Sequence, residues 1–246
     1  MSETAAQAST PGTRERLLRA AAELLTQGGR EAVSTRAVSA AAGVQAPTLY
    51  RVFGDKEGLL DAVAEYGFQG YLLDKQALAW TDDPVADLRR SWDLHVEFGL
   101  SMPAYYRLIY GDARAAEGSA ARAVDMLREL IARVASAGRL RMSVERATRF
   151  MHANGVGVVL TLLAAPPQER DQGLSELARE SVMRTITTDS GGGNPIAGPA
   201  TVAGRAGALR EALRDPGTPA LTSAERTLLT EWLDRLSDAP EGRPEA

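Results

Sequence analysis

The segment Thr35 to Leu60, T-R-A-V-S-A-A-A-G-V-Q-A-P-T-L-Y-R-V-F-G-D-K-E-G-L-L, constrains this chain more than any other. It reads as two short helices separated by a glycine turn. Ser34 or Thr35 caps the first, with Val38, Ala41 and Ala42 facing inward. Gly43 stops it, since glycine tolerates positive φ. Pro47 suits a first helical turn, where its missing N–H has no partner to lose, so the second helix is predicted over Pro47 to Val52. Alanines let the two helices approach closely, and Val44 and Leu49 plug the small core between them. Such a pair is a helix-turn-helix arrangement, whose second helix can project its N-terminal residues into a DNA major groove.

The rest of the chain is also helical in pattern. Ala, Leu, Arg and Glu dominate, apolar residues recur at three- and four-residue intervals, and alternating strand-like runs are nearly absent. The spacing predicts a first helix over Thr13–Gln27, with Leu17, Ala21, Leu24 and Leu25 buried and Gly28-Gly29 ending it. Asp55 caps a long helix beginning near Lys56. Pro84 opens the next, with Val85, Leu88, Trp92, His95 and Gly99 on one face, and Pro103 starts another to Tyr110. Further helices are predicted over 117–136, 143–165 and, after the Pro166-Pro167 corner, 168–186. The glycine- and proline-rich stretch 188–200 reads as a linker. Two more helices follow, over 201–214 and 223–237. The second opens on a Thr222/Glu225 capping box and carries an apolar face of Leu228, Leu229, Trp232 and Leu236.

The fold class is therefore all-α. An N-terminal three-helix helix-turn-helix domain (13–60) precedes a larger helical domain (61–187). A disordered arm (1–12), the linker (188–200), a helical extension (201–238) and a disordered tail (239–246) complete the division.

Composition narrows the chemistry. There is no cysteine, so disulfides, thiolate zinc sites and cysteine nucleophiles are excluded. The two histidines, His95 and His152, and the scattered carboxylates make no metal-ligand pattern. No G-x-S-x-G, P-loop, strand-following G-x-G-x-x-G or H-E-x-x-H occurs, and neither an enzyme nor a cofactor is expected. Net charge is −4, yet residues 13–63 hold seven Lys and Arg against six Asp and Glu. A DNA-reading module depends on local charge, so the acidic remainder does not argue against one. No apolar run reaches the ~20 residues that span a bilayer, and the N-terminus lacks a signal-peptide core. A cytoplasmic bacterial protein with no membrane partner is expected.

Over residues 13–63 the sequence resembles the TetR family of bacterial transcriptional regulators. Thr35, Val38, Ala42-Gly43-Val44, Thr48-Leu49-Tyr50, Phe53, Lys56 and Leu59-Leu60 stand in register with its signature. Gln45 departs from the family's frequent serine, and Val52 from its tyrosine or histidine. The resemblance implies a homodimer on a double-stranded, palindromic DNA operator, released as a repressor by a small, mainly apolar or aromatic effector. It implies phosphate contacts from Thr35, Tyr50, Arg51 and Lys56, with Arg36 reaching a base edge or a phosphate. Gln45, Ala46, Pro47 and Thr48 would lie nearest the bases. A helix-turn-helix used against a partner protein, without operator binding, is the alternative.

The same resemblance places an effector cavity among the helices that follow. Tyr66, Trp92, His95, Phe98, Met102, Tyr106, Tyr110, Met126, Phe150 and Asn154 are the candidate contacts, being the aromatic and polar-tipped residues there. The same residues also suit an ordinary core. Dimerisation is expected through the helices over 143–165 and 168–186, by Ala147, Met151, Gly155, Val158, Leu174, Leu177, Val182 and Ile186. Packing within one chain is the other use of such faces. The helices after the linker either pad that interface or cover the cavity.

Overall fold

A computed structural model describes residues 12–77, 79–111, 119–171, 173–188, 202–214 and 221–238. The expected arm, most of the linker and the tail lie outside these residues. Eleven α-helices and no strand are present among the described residues: α1 (Thr13–Ala32), α2 (Thr35–Ala42), α3 (Ala46–Phe53), α4 (Lys56–Ala77), α5 (Pro84–Ser101), α6 (Pro103–Tyr110), α7 (Ser119–Ser136), α8 (Val144–Ala164), α9 (Leu174–Ile186), α10 (Val202–Ala212) and α11 (Ser223–Asp238). None of the described helices is long and apolar enough to cross a membrane.

The chain forms two compact units. The first comprises Met1–Leu72 and Met102–Ser119, the second Leu73–Ser101 and Ala120–Ala246.

In the first unit, Leu17, Leu18, Ala21 and Leu25 of α1 meet Val38, Leu49, Leu59, Leu60 and Val63 in one buried cluster. α6 joins it through Tyr105 and Leu108, so this module recruits a helix that follows it by some forty residues in the chain. The approach is close. A Cβ on Gly67 of α4 would stand 2.0 Å from the Tyr105 ring. The helix-ending role expected of Gly28-Gly29 is realised as a kink: Gly29 has φ +67°, and Arg30–Ala32 resume helical turns. Arg30 then holds Glu57 of α4 by a two-pronged ion pair, at 2.9 and 3.2 Å. Ala41, expected to face inward, is exposed. Ser39, two residues earlier, takes the buried position with Val38.

In the second unit, α5 packs on α8 and α9. Trp92 of α5 is buried and its indole N–H donates to Ser175 Oγ at 3.1 Å, which satisfies its single donor. Ser143 caps α8 by accepting from the Arg146 N–H, and its hydroxyl donates to Asp238 at the end of α11. The corner after Pro166 is a 3-10 turn, Pro167–Glu169, and α9 begins only at Leu174 rather than at Gln168. The Thr222/Glu225 capping box forms in both directions. The expected apolar face of α11 is turned outward instead: Leu228, Trp232 and Leu236 are exposed and Leu229 is half-buried. α11 packs on α10 through Leu233 and Ser237. The small residues Ala203, Gly204, Ala206 and Gly207 on the buried side of α10 allow that approach.

Candidate functional site

The helix-turn-helix is built around one residue held on one side. Leu49 of α3 is 0% exposed, sealed against α1, α2 and α4. Burial of a leucine is worth about 1.5–3 kcal/mol, enough to fix which way an eight-residue helix faces. Pro47, Tyr50 and Arg51, spaced by three and four, then share the opposite side. Gln45, Ala46, Pro47 and Arg51 are exposed, Tyr50 is 49% exposed, and Thr48 is half-buried. Val52 and Phe53 pack on the core, so the departure from the family pattern at Val52 falls on a structural position.

The turn before α3 follows from glycine chemistry. Ser34, not Thr35, caps α2, accepting from the Ala37 N–H at 3.1 Å. Gly43 closes α2 with φ +65°, and the Val44 N–H returns to the Ser39 carbonyl at 3.0 Å. Thr35 is half-buried in the first turn of α2 and Arg36 is exposed beside it. Lys56 is half-buried at the start of α4, where Asp55 caps the helix by accepting from Gly58 N–H at 2.8 Å. The residues expected to face a nucleic acid are thus mostly on the surface, drawn from three helix starts.

Sequence reasoning missed Gly58. A Cβ there would stand 2.2 Å from the Phe53 carbonyl oxygen, a backbone atom that cannot step aside. The signal was present in the pattern Gly54-x-x-x-Gly58 flanking the cap, which nothing else required.

The second unit has a polar interior. Lys75, near the end of α4, is only 7% exposed, and its ammonium donates to the Ala123 carbonyl of α7 at 3.3 Å. Burial pushes its pKa down to about 8. His95 is pushed down to about 3, by burial first and then by the charges of Lys75 and His152. His152 is lowered by burial and by Lys75. Both imidazoles are therefore neutral at neutral pH. His95 lies against α8 where Gly155 leaves room: a Cβ there would come to 3.4 Å from the imidazole. Sequence reasoning missed Lys75. Its signal was its place in the series Phe68, Leu72, Lys75, an apolar helical stripe interrupted by one of the chain's two lysines.

A cavity of about 310 Å³ opens beside this lysine, lined by Lys75, Gln76, Ala79, Trp80, Asp87, Arg90, Met126, Glu129 and Leu130. Met126 is the one candidate effector contact that lines it. The other candidates scatter. Trp92 and Phe98 are buried in the second unit's core, while Met102 and Tyr106 belong to the first unit, with the Tyr106 and Tyr110 rings 4.6 Å apart and tilted by 42°. Tyr66 is exposed. Phe150 is exposed on the outward side of α8, and the Asn154 amide donates back to its carbonyl at 2.8 Å.

The expected dimer residues fall on two faces. Ala147, Met151, Gly155, Val182 and Ile186 are buried within the chain, packed on its own core, while Val158, Leu174 and Leu177 are half-buried or exposed. The periodicity identified the buried stripe of α8, whereas the stripe offset by two residues is the outward one. That outward side carries Phe150, Ala153, Gly157 and Thr161, and an open groove of about 390 Å³ runs from it to Leu174 past Val158. Leu177 of α9 is 66% exposed.

Comparison with known proteins agrees with this geometry. The family model of bacterial regulatory proteins, tetR family, matches residues 17–63, which contain every candidate DNA contact. The Tetracycline repressor protein class C of Escherichia coli is 48% identical over 52 residues, covering 21% of this chain and 24% of that repressor. The match thus spans about a quarter of that relative's length. The fold is shared more widely. SmeT, the repressor of the Stenotrophomonas maltophilia multidrug efflux pump SmeDEF, superposes with TM-score 0.59 at 22% identity, covering 73% of this chain and 92% of that one. RolR in complex with resorcinol superposes with TM-score 0.59 at 21% identity, covering 72% and 88%. Over residues 17–63 the chain is thus similar to the tetR family of bacterial regulatory proteins, and over its greater length it shares the fold of SmeT and RolR.

Proposed function

We propose that this protein is a sequence-specific, DNA-binding transcriptional repressor. It acts in the bacterial cytoplasm as a homodimer on a palindromic operator, from which a small, mainly apolar or aromatic effector releases it. One observation carries the reading: α3 is pinned by fully buried Leu49 while Gln45, Ala46, Pro47, Tyr50 and Arg51 are left on the surface. A helix held by one face, with its first turn bare and cations at its flanks, suits insertion into a major groove. Thr35, Arg36 and Lys56 then serve the phosphates on either side.

The regulatory half of the reading draws on the likeness to SmeT, a repressor, and to RolR, which holds resorcinol. α4 runs from the first unit into the second and is one covalent route by which occupancy of one alters the other. The effector acts by binding the DNA-incompetent conformation more tightly, with a coupling of ~1–3 kcal/mol as is typical of two-site systems.

The test is selection of genomic fragments by the purified protein at moderate salt, followed by sequencing. An inverted repeat recurring near promoters is the expected result, and binding that is sequence-blind or absent overturns it. On the selected operator, replacing Thr48 and Tyr50 together by alanine lowers affinity by about 10-fold or more without changing the thermal melt, since contacts at bases and phosphates are worth ~1–3 kcal/mol each. Unchanged affinity would remove α3 from the interface and favour a partner protein on this surface.

A further inference from the structure

The cavity beside Lys75 has a chemistry of its own. Its walls are apolar at Met126 and Leu130 and aromatic at Trp80, whose indole carries the Arg133 guanidinium at 4.5 Å. Its charged groups are unequally engaged. Asp87 is buried and held by Arg133 at 2.6 Å, by Arg90 at 2.6 Å and by the Thr81 hydroxyl at 2.7 Å. Those bonds hold its carboxyl below the usual range, against burial, which acts the other way. Asp87 is thereby a structural brace, with its charge more than matched by two arginines. Glu129 is exposed at the surface side. Lys75 is buried at the cavity wall, near enough to His95 of α5 and His152 of α8 for its charge to disfavour protonation of both. With Arg133 behind Trp80 counted, three cations stand against the two carboxylates Asp87 and Glu129 around an apolar, aromatic-walled space.

A buried ammonium in such surroundings is costly, and an anion within reach lowers that cost far more than it would in water. The volume of about 310 Å³ stands at the low end of small-molecule sites, which fits a ligand of one or two rings.

We propose that this cavity binds a small aromatic carboxylate, its ring against Trp80 and Met126 and its carboxylate on Lys75. This inference rests on the effector reading above, since it assigns a chemical class to the effector of that reading. A neutral phenol or amine of the same shape lacks the charge Lys75 answers, and a cation is opposed by Lys75 and Arg90 together.

The experiment uses the full chain and a matched pair of probes, 1-naphthoate and 1-naphthamide, which share a ring system and differ in charge. Calorimetric titration, with tryptophan fluorescence as a second signal, gives both dissociation constants. Naphthoate binds wild-type protein about tenfold more tightly than naphthamide, a difference of about 1.4 kcal/mol. Lys75→Met abolishes that preference. Met126→Trp, which fills the cavity and leaves the lysine, weakens both probes. Equal affinity for the two probes overturns the proposal, as does no binding of naphthoate up to ~1 mM. A Lys75→Met protein that keeps the preference overturns it too. The wild-type comparison decides by itself should the variant fail to fold. Operator retention is measured separately, without probe. Naphthoate preference in a protein that retains no DNA preserves the site and sinks the repressor. Operator binding without that preference does the reverse.

Discussion

At Lys75 a single side chain links sequence, stability and ligand chemistry. Its folded pKa of about 8 stands below the ordinary lysine value of 10.5. Between those values the unfolded chain carries the proton and the folded chain does not, so stability rises with pH across that window. Below about pH 8 the cost of the buried charge is fully present. Lys75→Met is therefore expected to stabilise the protein by on the order of 2 kcal/mol at pH 7, with the gain fading towards pH 10. Urea unfolding of both proteins at pH 7 and 9.5 checks this, and a destabilised variant at pH 7 contradicts it. Residue-scale legibility was uneven for a physical reason. Leu49, Val38 and Gly43 were readable because helical spacing and positive φ are local properties of the chain. Lys75, Gly58 and Gly67 were not, because a buried charge or a close approach is set by what another element brings: the Ala123 carbonyl, the Phe53 carbonyl and the Tyr105 ring.

Helix boundaries set by proline, glycine and capping side chains were read closely, as at Pro84, Pro103, Ser143 and Thr222. Which face of a helix turns inward was read less well wherever the helix is apolar on two sides. α8 presents Ala147, Met151 and Gly155 on one stripe and Phe150, Ala153 and Gly157 on another, and only the partner helices decide between them. α11 is the sharper instance. Its large residues Leu228, Trp232 and Leu236 were the natural choice for the core, yet α10 offers a face of Ala203, Gly204, Ala206 and Gly207 that accepts Leu233 and Ser237. The hairpin is braced to the rest of its unit by polar contacts: Arg210 with Glu145, and Asp238 with Ser143 and Arg146. Leu233→Ala is accordingly expected to cost about 2–4 kcal/mol, and Trp232→Ala less than about 0.5 kcal/mol. Thermal unfolding of the two variants measures the order, and its reversal would put the Trp232 side of α11 in the core.

For the whole molecule, the proposed repressor needs two copies, because one recognition helix reads only half of a palindrome. The buried stripe of α8 cannot supply the contact, as it is already occupied by α5. The outward side of α8 and α9 can: Phe150, Ala153, Gly157, Thr161 and Leu177 are accessible together, and small residues along a helix allow another to approach. Gly157 offers the cleanest probe, since a Cβ there meets nothing within 4 Å in the isolated chain. Gly157→Glu puts a charge into the proposed interface while leaving the protomer's own packing untouched; the glycine-to-glutamate change itself favours the helix. Sedimentation is expected to show the wild type as a dimer and the variant as a monomer of unchanged helical content. Operator affinity then falls by more than about 100-fold, because each monomer binds a half-site without its partner. A variant that still sediments as a dimer would move the interface elsewhere, with the exposed Leu228, Trp232 and Leu236 stripe of α11 next to be tested. A monomer that kept full operator affinity would remove the two-fold symmetry from the mechanism.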